Sequence, residues 1–474
     1  MIQNYDVLSP EQVKRIDQEV MRILEEVGVS FEYEPALEVL KEHGVKVEGT
    51  IAFFGADFVK EKLAEAPSEY TLAARNPEKT VTCGGNGLIL TPSYGPPFVY
   101  EADGTRRQSV MEDYINIIKL VQSSEHINHS GGNVIEPNDI DTHITHLKML
   151  EAHVRYCDKP FMGSAHGVQG AMDSIEIAKI LFGDTQTVKN TPILNTLINS
   201  ISPLMYDERM LGALMTYAEY GQSCMVSALV MSGSTGPVTM VETLALQIAE
   251  NLAGIVLAQC VRSGAPCIMG STSGPADMRS MSLSIGTAET ALYTAATAQM
   301  ARYYDIPSRG GGGLNDGILP DAQVGYESML TLGAAVNSGI NFVLHAAGIM
   351  QYYNAFSYEK FIIDEEVAGL SKKFKEGYAF DEDRFVFDDV QEVGPGGHFL
   401  YQDSTMEFMG DLRRPVLSFR DTFEAWEDEG SKSAAERATD LWHKRLDEYV
   451  QPEMDAKMEA ELTSFIESRT KELI

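Results

Sequence analysis

The chain has 474 residues and carries 69 Asp and Glu against 37 Lys and Arg, a formal net charge of −32. A surface this acidic repels nucleic acid phosphates and anionic lipid, which excludes both as partners, while it favours solubility and suits the steering of a cationic ligand. No basic-then-apolar leader and no apolar run of the ~18 residues that a membrane crossing requires is present, so a cytoplasmic protein is expected, and Cys83, Cys157, Cys224, Cys260 and Cys267, with no C-x-x-C pair, read as reduced, mostly buried thiols.

Residues 1–87 open with a helix start in which Ser9 caps, Pro10 takes the first helical position and Gln12 closes a capping box. Two helices and a charged connection are expected to follow. From 88 to 374 a short apolar strand, a loop of Gly, Ser, Asn or His and an amphipathic helix recur about eight times, the number a closed (β/α)8 barrel requires. The strands fall at 88–93, 127–132, 161–166, 193–199, 225–231, 267–271, 306–309 and 342–346. Intervening helices fall at segments such as 110–125, 144–156, 171–182, 241–263, 282–304 and 322–338. This alternation predicts parallel pairing through right-handed crossovers and an α/β fold. The alternative, an open doubly wound sheet, lacks support because no strand leads into a G-x-G-x-x-G turn, and the run Arg309-Gly-Gly-Gly-Gly-Leu-Asn-Asp316 also lacks the Lys-Ser/Thr of a phosphate loop. Residues 375–474 form a C-terminal extension, irregular and rich in Asp, Gly and aromatics to 418, then charged and helical. The apolar stripes of 422–474 are read as a docking or oligomer surface.

A barrel carries its working residues at the C-terminal ends of its strands. That rule selects Tyr94 and Phe98, His129 and Asn133, Ser164 and His166, Asn195 and Asn199, Ser232 and Ser234, and Ser271. It also selects Arg309 with Asn315, Asp316 and Asp321, then His345 with Tyr352 and Tyr353. Small residues fill these loops, among them Gly233, Gly311 and Gly312, leaving a mouth wide enough for a large flat ligand. Tyr94, Phe98, Tyr352, Tyr353 and Phe356 come from the first and last units, which are neighbours in a closed barrel. Aromatic faces attract a quaternary ammonium at about 0.5–2 kcal/mol per ring. No zinc-ligand spacing and no G-x-S-x-G elbow is present, and no bound metal is expected. A carboxylate acid/base group of Asp316, Asp321, Glu327 and His345 stays open, with helix capping as the other role of Asp321.

Several blocks then point to a family. Leu8-Ser-Pro-Glu-Gln-Val13, Ala74-Arg-Asn-Pro77, Pro320-Asp-Ala-Gln-Val-Gly-Tyr-Glu327, His345-Ala-Ala-Gly348 and Gly394-Pro-Gly-Gly-His-Phe-Leu400 resemble the trimethylamine methyltransferase superfamily nearly end to end. The resemblance implies a (β/α)8 barrel that transfers a methyl group from a methylamine to the cobalt of a corrinoid held on a separate protein. Trimethylamine enzymes of the family carry pyrrolysine, and every position here is a standard residue. The resemblance therefore implies a quaternary amine substrate, such as glycine betaine, proline betaine or carnitine. On this reading Tyr94, Tyr352 and Tyr353, with Phe98 and Phe356, form an aromatic cage. Arg309, His166, His345 and His398 are candidates for the substrate carboxylate, and Asp321, Gln323 and Glu327, with His345, for the catalytic group. Gly233, Ser271, Gly311 and Gly312 are candidates for the rim that meets the corrin, and a homo-oligomer is expected. A non-catalytic betaine-binding or sensing barrel, and a barrel hydrolase or lyase built on Asp316, Asp321 and His345, are the alternatives.

Overall fold

A computed structural model describes residues 4–474. Its central sheet has seven parallel strands in the order Ile89–Pro92, Phe342–Ala347, Ser308–Gly311, Cys267–Ser271, Ser223–Ala228, Leu194–Asn199, Phe161–Met162. The two end strands do not touch. Residues 127–132, expected as the second strand, fill the gap without regular strand geometry. On one side the amides of Asn128 and His129 donate to Leu90 O at 3.2 and 3.3 Å; on the other, Met162 N donates to Gly131 O at 2.8 Å. The ring is thereby closed, an eight-staved α/β barrel with no free edge. This stave is irregular because the His129 ring takes the Gly131 amide at 3.0 Å, a donor that a ladder would otherwise use.

The expected strand at 306–309 forms two residues later, at Ser308–Gly311. Pro307 cannot donate to a ladder, and Gly310 and Gly311 belong to the strand rather than to the loop after it. Eight helices of 12 to 22 residues, from Met111–Gln122 to Tyr358–Glu376, with the short Thr185–Asn190 as a ninth, surround the staves. One of them, Met240–Val261, is apolar on nearly every face and long enough to cross a membrane, yet 94% of its most apolar 18-residue stretch is buried. The N-terminal helices Pro10–Arg22, Glu34–Glu42 and Ala56–Leu63 pack across its outer side, so it lies between two layers of protein.

The hairpin Glu69–Leu72 and Val81–Gly84 closes the barrel floor. Leu72 and Cys83 pack with Ile89, Met225, Ile268 and Phe342, and the Tyr70 hydroxyl meets Ser223 Oγ at 2.6 Å. At the C-terminus, helices Ala434–Asp447 and Ala456–Leu473 turn their apolar stripes back on the barrel. Trp442 stacks on Tyr358 at 4.6 Å, and Leu462 and Ile466 are buried. Those stripes, read from the sequence as a docking surface, are occupied within the chain.

Candidate active site

Strand alternation turns Arg309 toward the barrel axis, and the neighbouring strand leaves room for it. A Cβ on Gly270 would lie 2.9 Å from Arg309 Cδ, so glycine is required there. The guanidinium is 2% exposed and one of its terminal nitrogens donates to Ser227 Oγ at 2.8 Å. Its Nε has no partner, and no carboxylate among the described residues pairs with it. Burial pulls its pKa down to about 10, opposed by the hydroxyls of Tyr353 and Tyr94.

The last strand supplies the opposite wall. Its register against Ile89–Pro92 slips between Val343 and Ala347, and within that slip His345 adopts φ +62°. A bulge of this kind breaks the in-out alternation and re-aims a side chain, and a left-handed histidine costs on the order of 1–3 kcal/mol. The result is an imidazole whose Nδ1 accepts the Tyr94 amide at 3.2 Å and whose ring lies 4.7 Å from that of Tyr353. With Nδ1 accepting, the proton sits on Nε2. Burial first, and then the charge of Arg309, hold this histidine neutral by lowering its pKa well below the ordinary value.

After that strand, Gln351, Tyr352 and Tyr353 are all left-handed, at φ +43°, +41° and +71°. Three successive strained residues persist only where the surroundings enforce them. Asn315 does so here: its carbonyl accepts Tyr352 N at 3.3 Å and its side chain donates to Ile349 O at 2.7 Å. Tyr353 ends partly buried, its hydroxyl shielded from solvent and without a hydrogen-bond partner. Burial pushes the Tyr94 phenol up to about 12, so both tyrosines present neutral rings beside Arg309. Asp316 lies in the field of Tyr353, its carboxylate accepting the amides of Ile285 at 2.9 Å and Gly286 at 3.2 Å. Burial raises its pKa against those two bonds.

Tyr94 also lines a cavity of about 400 Å³ that opens at the mouth between Asn133, Glu136, His166, Asn199 and Arg209. Around the mouth, loops after three strands expose Leu229, Val238, Met278, Met281, Ile318 and Leu319. Isolated exposed apolar residues are ordinary; a ring of them at one end of a barrel marks a contact surface.

The structure thus brings Tyr94, Arg309, His345 and Tyr353 together. His166 stands off at the cavity wall, its pKa lowered by burial and then by His146. Tyr352 packs beside Tyr353 against Ile285, Leu314 and Ile349. Phe98 already carries a cation of its own, with Arg106 over its ring at 4.3 Å. Phe356 is buried under Gly348, in the core behind the strands. Asp321 is exposed and caps the helix Ala322–Ser338 through Gln323 N at 2.9 Å. Gln323 and Glu327 continue that structural chain, Gln323 Nε2 to Glu327 at 2.9 Å and Asp316 N to Glu327 at 2.7 Å. Ser271 bonds back to Gln247 of the helix behind it. Of the glycines, Gly311 and Gly312 face Leu314, Leu332 and Val343, whereas Gly233 lies on the rim beside Met278 and Val238. His398 is exposed on the C-terminal extension. Ser227 and Gly270 escape the strand-end rule because they lie inside the strands. Their signal is alternation: Ser227 shares the inward face with Met225, and a glycine beside it marks a bulky neighbour.

A buried cation among aromatic side chains at the strand ends, beside a cavity at the mouth of a closed α/β barrel, is the arrangement of a barrel enzyme acting on a small molecule. The chain belongs to the trimethylamine methyltransferase (MTTB) family, which it matches over residues 1–474. It is 51% identical over 474 residues to glycine betaine methyltransferase of Desulfitobacterium hafniense strain Y51, covering 100% of this chain and 99% of that one. It is 31% identical over 421 residues to proline betaine:corrinoid methyltransferase of Eubacterium limosum, covering 85% and 84%. Among solved structures, monomethylamine methyltransferase of Methanosarcina barkeri shares the fold, with a TM-score of 0.55 at 11% identity over 95% of this chain and 90% of that one. The chain is a methyltransferase.

Proposed function

We propose that the chain moves a methyl group from glycine betaine to the reduced cobalt of a corrinoid carried by a separate protein, with proline betaine and carnitine as related substrates. The observation that carries the substrate class is Arg309, a buried guanidinium without a counter-ion. An unpaired buried charge is costly, and a bound carboxylate removes that cost through charge-assisted bonds. Trimethylamine has no carboxylate to offer; a betaine has one, joined to its ammonium through a short linker.

The rest of the pocket suits the other end of that zwitterion. Neutral rings of Tyr94 and Tyr353 present aromatic faces to the ammonium, and Asp316 adds a negative charge nearby. His345, held neutral with its proton on Nε2, offers a second donor to the carboxylate without placing another positive charge beside the ammonium. One N-methyl then points to the mouth. The carbon–nitrogen bond breaks with its electron pair left on nitrogen, and the cobalt electron pair forms the new bond to carbon. A neutral tertiary amine departs, so no protein group has to deliver a proton. The chain's contribution is alignment, which is worth on the order of 7–11 kcal/mol when reactants are well oriented. The apolar ring of Val238, Met278, Met281, Ile318 and Leu319 is the surface offered to the acceptor protein.

The test is the absorbance change of a reduced corrinoid protein on methylation, followed with glycine betaine, proline betaine, carnitine and trimethylamine in turn. Turnover with glycine betaine and none with trimethylamine is expected. Turnover with trimethylamine alone overturns the proposal.

A further inference from the structure

The cavity of about 400 Å³ beside Tyr94 is lined by two side chains of opposite charge, Glu136 and Arg209, that do not pair with each other. Among the described residues the Glu136 carboxylate has one partner, the side-chain amide nitrogen of Asn133. Arg209 reaches only Asp207, at 4.0 Å. With its nitrogen turned to Glu136, the Asn133 side chain presents its oxygen as an acceptor, and that buried oxygen has no partner. Asn133 lines the same cavity, and Met149 and Leu150 give it an apolar side. The volume lies in the range of small-molecule sites, roughly 300–1,000 Å³.

We infer, on the reading that the chain demethylates a betaine, that this cavity is an exit site holding the tertiary-amine product as its zwitterion. The acceptors select product over substrate. A quaternary ammonium has no hydrogen to donate, and the neutral rings of Tyr94 and Tyr353 beside Arg309 suit its methyl groups. Methyl transfer leaves the electron pair of the broken carbon–nitrogen bond on nitrogen. That pair takes one proton from water, the hydroxide is left to solvent, and the new N–H donates to Glu136 or to the Asn133 side-chain oxygen while the carboxylate meets Arg209. Tyr94 is the wall common to both places, its hydroxyl lying in the fields of Glu136, Arg209 and Arg309 at once. The cavity also lies off the barrel axis, on one half of the mouth. Asn133 and Glu136 follow the second stave, and Arg209 belongs to the helix Glu208–Glu219 behind the fourth. Val238, Met278, Met281, Ile318 and Leu319 follow the fifth, sixth and seventh, so an acceptor docked on them covers the other half.

Equilibrium dialysis of radiolabelled N,N-dimethylglycine against the full chain, without corrinoid protein and with glycine betaine just saturating, tests the inference. Betaine then fills the Arg309 pocket, and only a separate site can take up the label. Wild type is expected to bind one equivalent. Glu136→Gln and Arg209→Gln are each expected to weaken that binding about 10- to 100-fold, the range for a hydrogen bond to a charged group. Each of these side chains has at most one partner within the chain, so Tm is expected near wild type, and betaine binding at the wild-type affinity reports an intact Arg309 pocket. Displacement of all the label by betaine from wild type means a single shared site; it overturns the inference and leaves the proposed function standing. Label bound equally by wild type and both variants also overturns it. Failure of glycine betaine itself to bind overturns the reading of the Arg309 pocket, and the exit site with it.

Discussion

Arg309 is a charge that the fold has dried without pairing, with one hydrogen bond to Ser227 Oγ and a bare Nε. Removing a buried partner of a charge normally destabilises, but here no carboxylate among the described residues is left unpaired when Arg309 is removed. Arg309→Ala is therefore expected to leave Tm near wild type while raising the KM for glycine betaine by the ~2–5 kcal/mol typical of a desolvated charge contact, roughly 30- to 5,000-fold. Unchanged KM in steady-state kinetics would remove Arg309 from the carboxylate site. The tyrosines make a finer point, because ring and hydroxyl separate. Tyr353→Phe keeps the aromatic face and removes a hydroxyl that has no partner, so its KM is expected to match wild type. Tyr353→Leu loses the face and is expected to raise KM about 2- to 30-fold, the range of one cation–π contact. Equal KM for the two variants would argue against a cation on that ring.

Two barrel loops are fastened to each other from below by a single helix. Lys360 and Asp364, both fully buried on Tyr358–Glu376, bond one another; Lys360 Nζ donates to Gly313 O at 2.8 Å, and Asp364 accepts Gly348 N at 2.8 Å. One of these glycines follows the strand of Arg309, and the other follows His345. Burial pushes both ionisable groups toward their neutral forms, and each restrains the other. Lys360→Met leaves an unpaired buried carboxylate, with Gly313 O keeping only its longer bonds from Asn315 and Ser328, and is expected to cost about 3–5 kcal/mol in a urea melt. Asp364→Asn keeps an acceptor for Gly348 and is expected to cost less. A Lys360→Met loss no larger than that of a surface substitution would show that the pair is not needed to hold the loops. This level of organisation is also where the sequence is least legible. The strand and helix rhythm reports each element's burial pattern, and that pattern survives in the sheet. Which loops bond to which helix depends on contacts such as Lys360 to Gly313, 47 positions apart, and no local signal carries them. The bulge that aims His345 and the left-handed run at 351–353 are tertiary in the same sense, because positive φ is uncommon for any residue but glycine and nothing local marks these positions.

At the scale of the whole molecule, the eight-part rhythm located the strand ends and hence Arg309, His345 and Tyr353, because a closed barrel gathers every strand end at one mouth. The same rule scattered other candidates. Asp321 and Glu327 are spent on helix and loop structure, and Phe356 on the core, since a strand end says nothing about which side of its loop faces inward. Histidines show the cost of that architecture in pH. His129 is buried on the second stave and His153 on the helix Thr145–Tyr156 packed against it, and burial lowers their pKa to about 3 and about 4. His153 is bonded on both ring nitrogens, with Ser130 Oγ at 2.8 Å and Gly132 O at 2.8 Å, so a second ring proton requires the serine hydroxyl to accept from Nδ1 and to donate instead to Pro160 O at 3.1 Å. A lowered pKa in the folded state means that the unfolded chain binds the proton first, near pH 6.5. Stability is then undiminished above that pH and falls as the pH drops, by up to ~1.4 kcal/mol per pH unit for each such histidine, until the folded-state pKa is reached. The acidic surface acts in the opposite direction, because protonating carboxylates relieves self-repulsion, so the total slope is a difference of two terms. His153→Gln isolates one of them, since an amide keeps hydrogen-bonding capacity and does not titrate. Urea unfolding at pH 7, 6 and 5 is expected to give the variant a shallower loss of stability than wild type by about 1 kcal/mol per pH unit below 6.5. Parallel slopes would mean that His153 takes up its proton as readily in the folded barrel as in the unfolded chain.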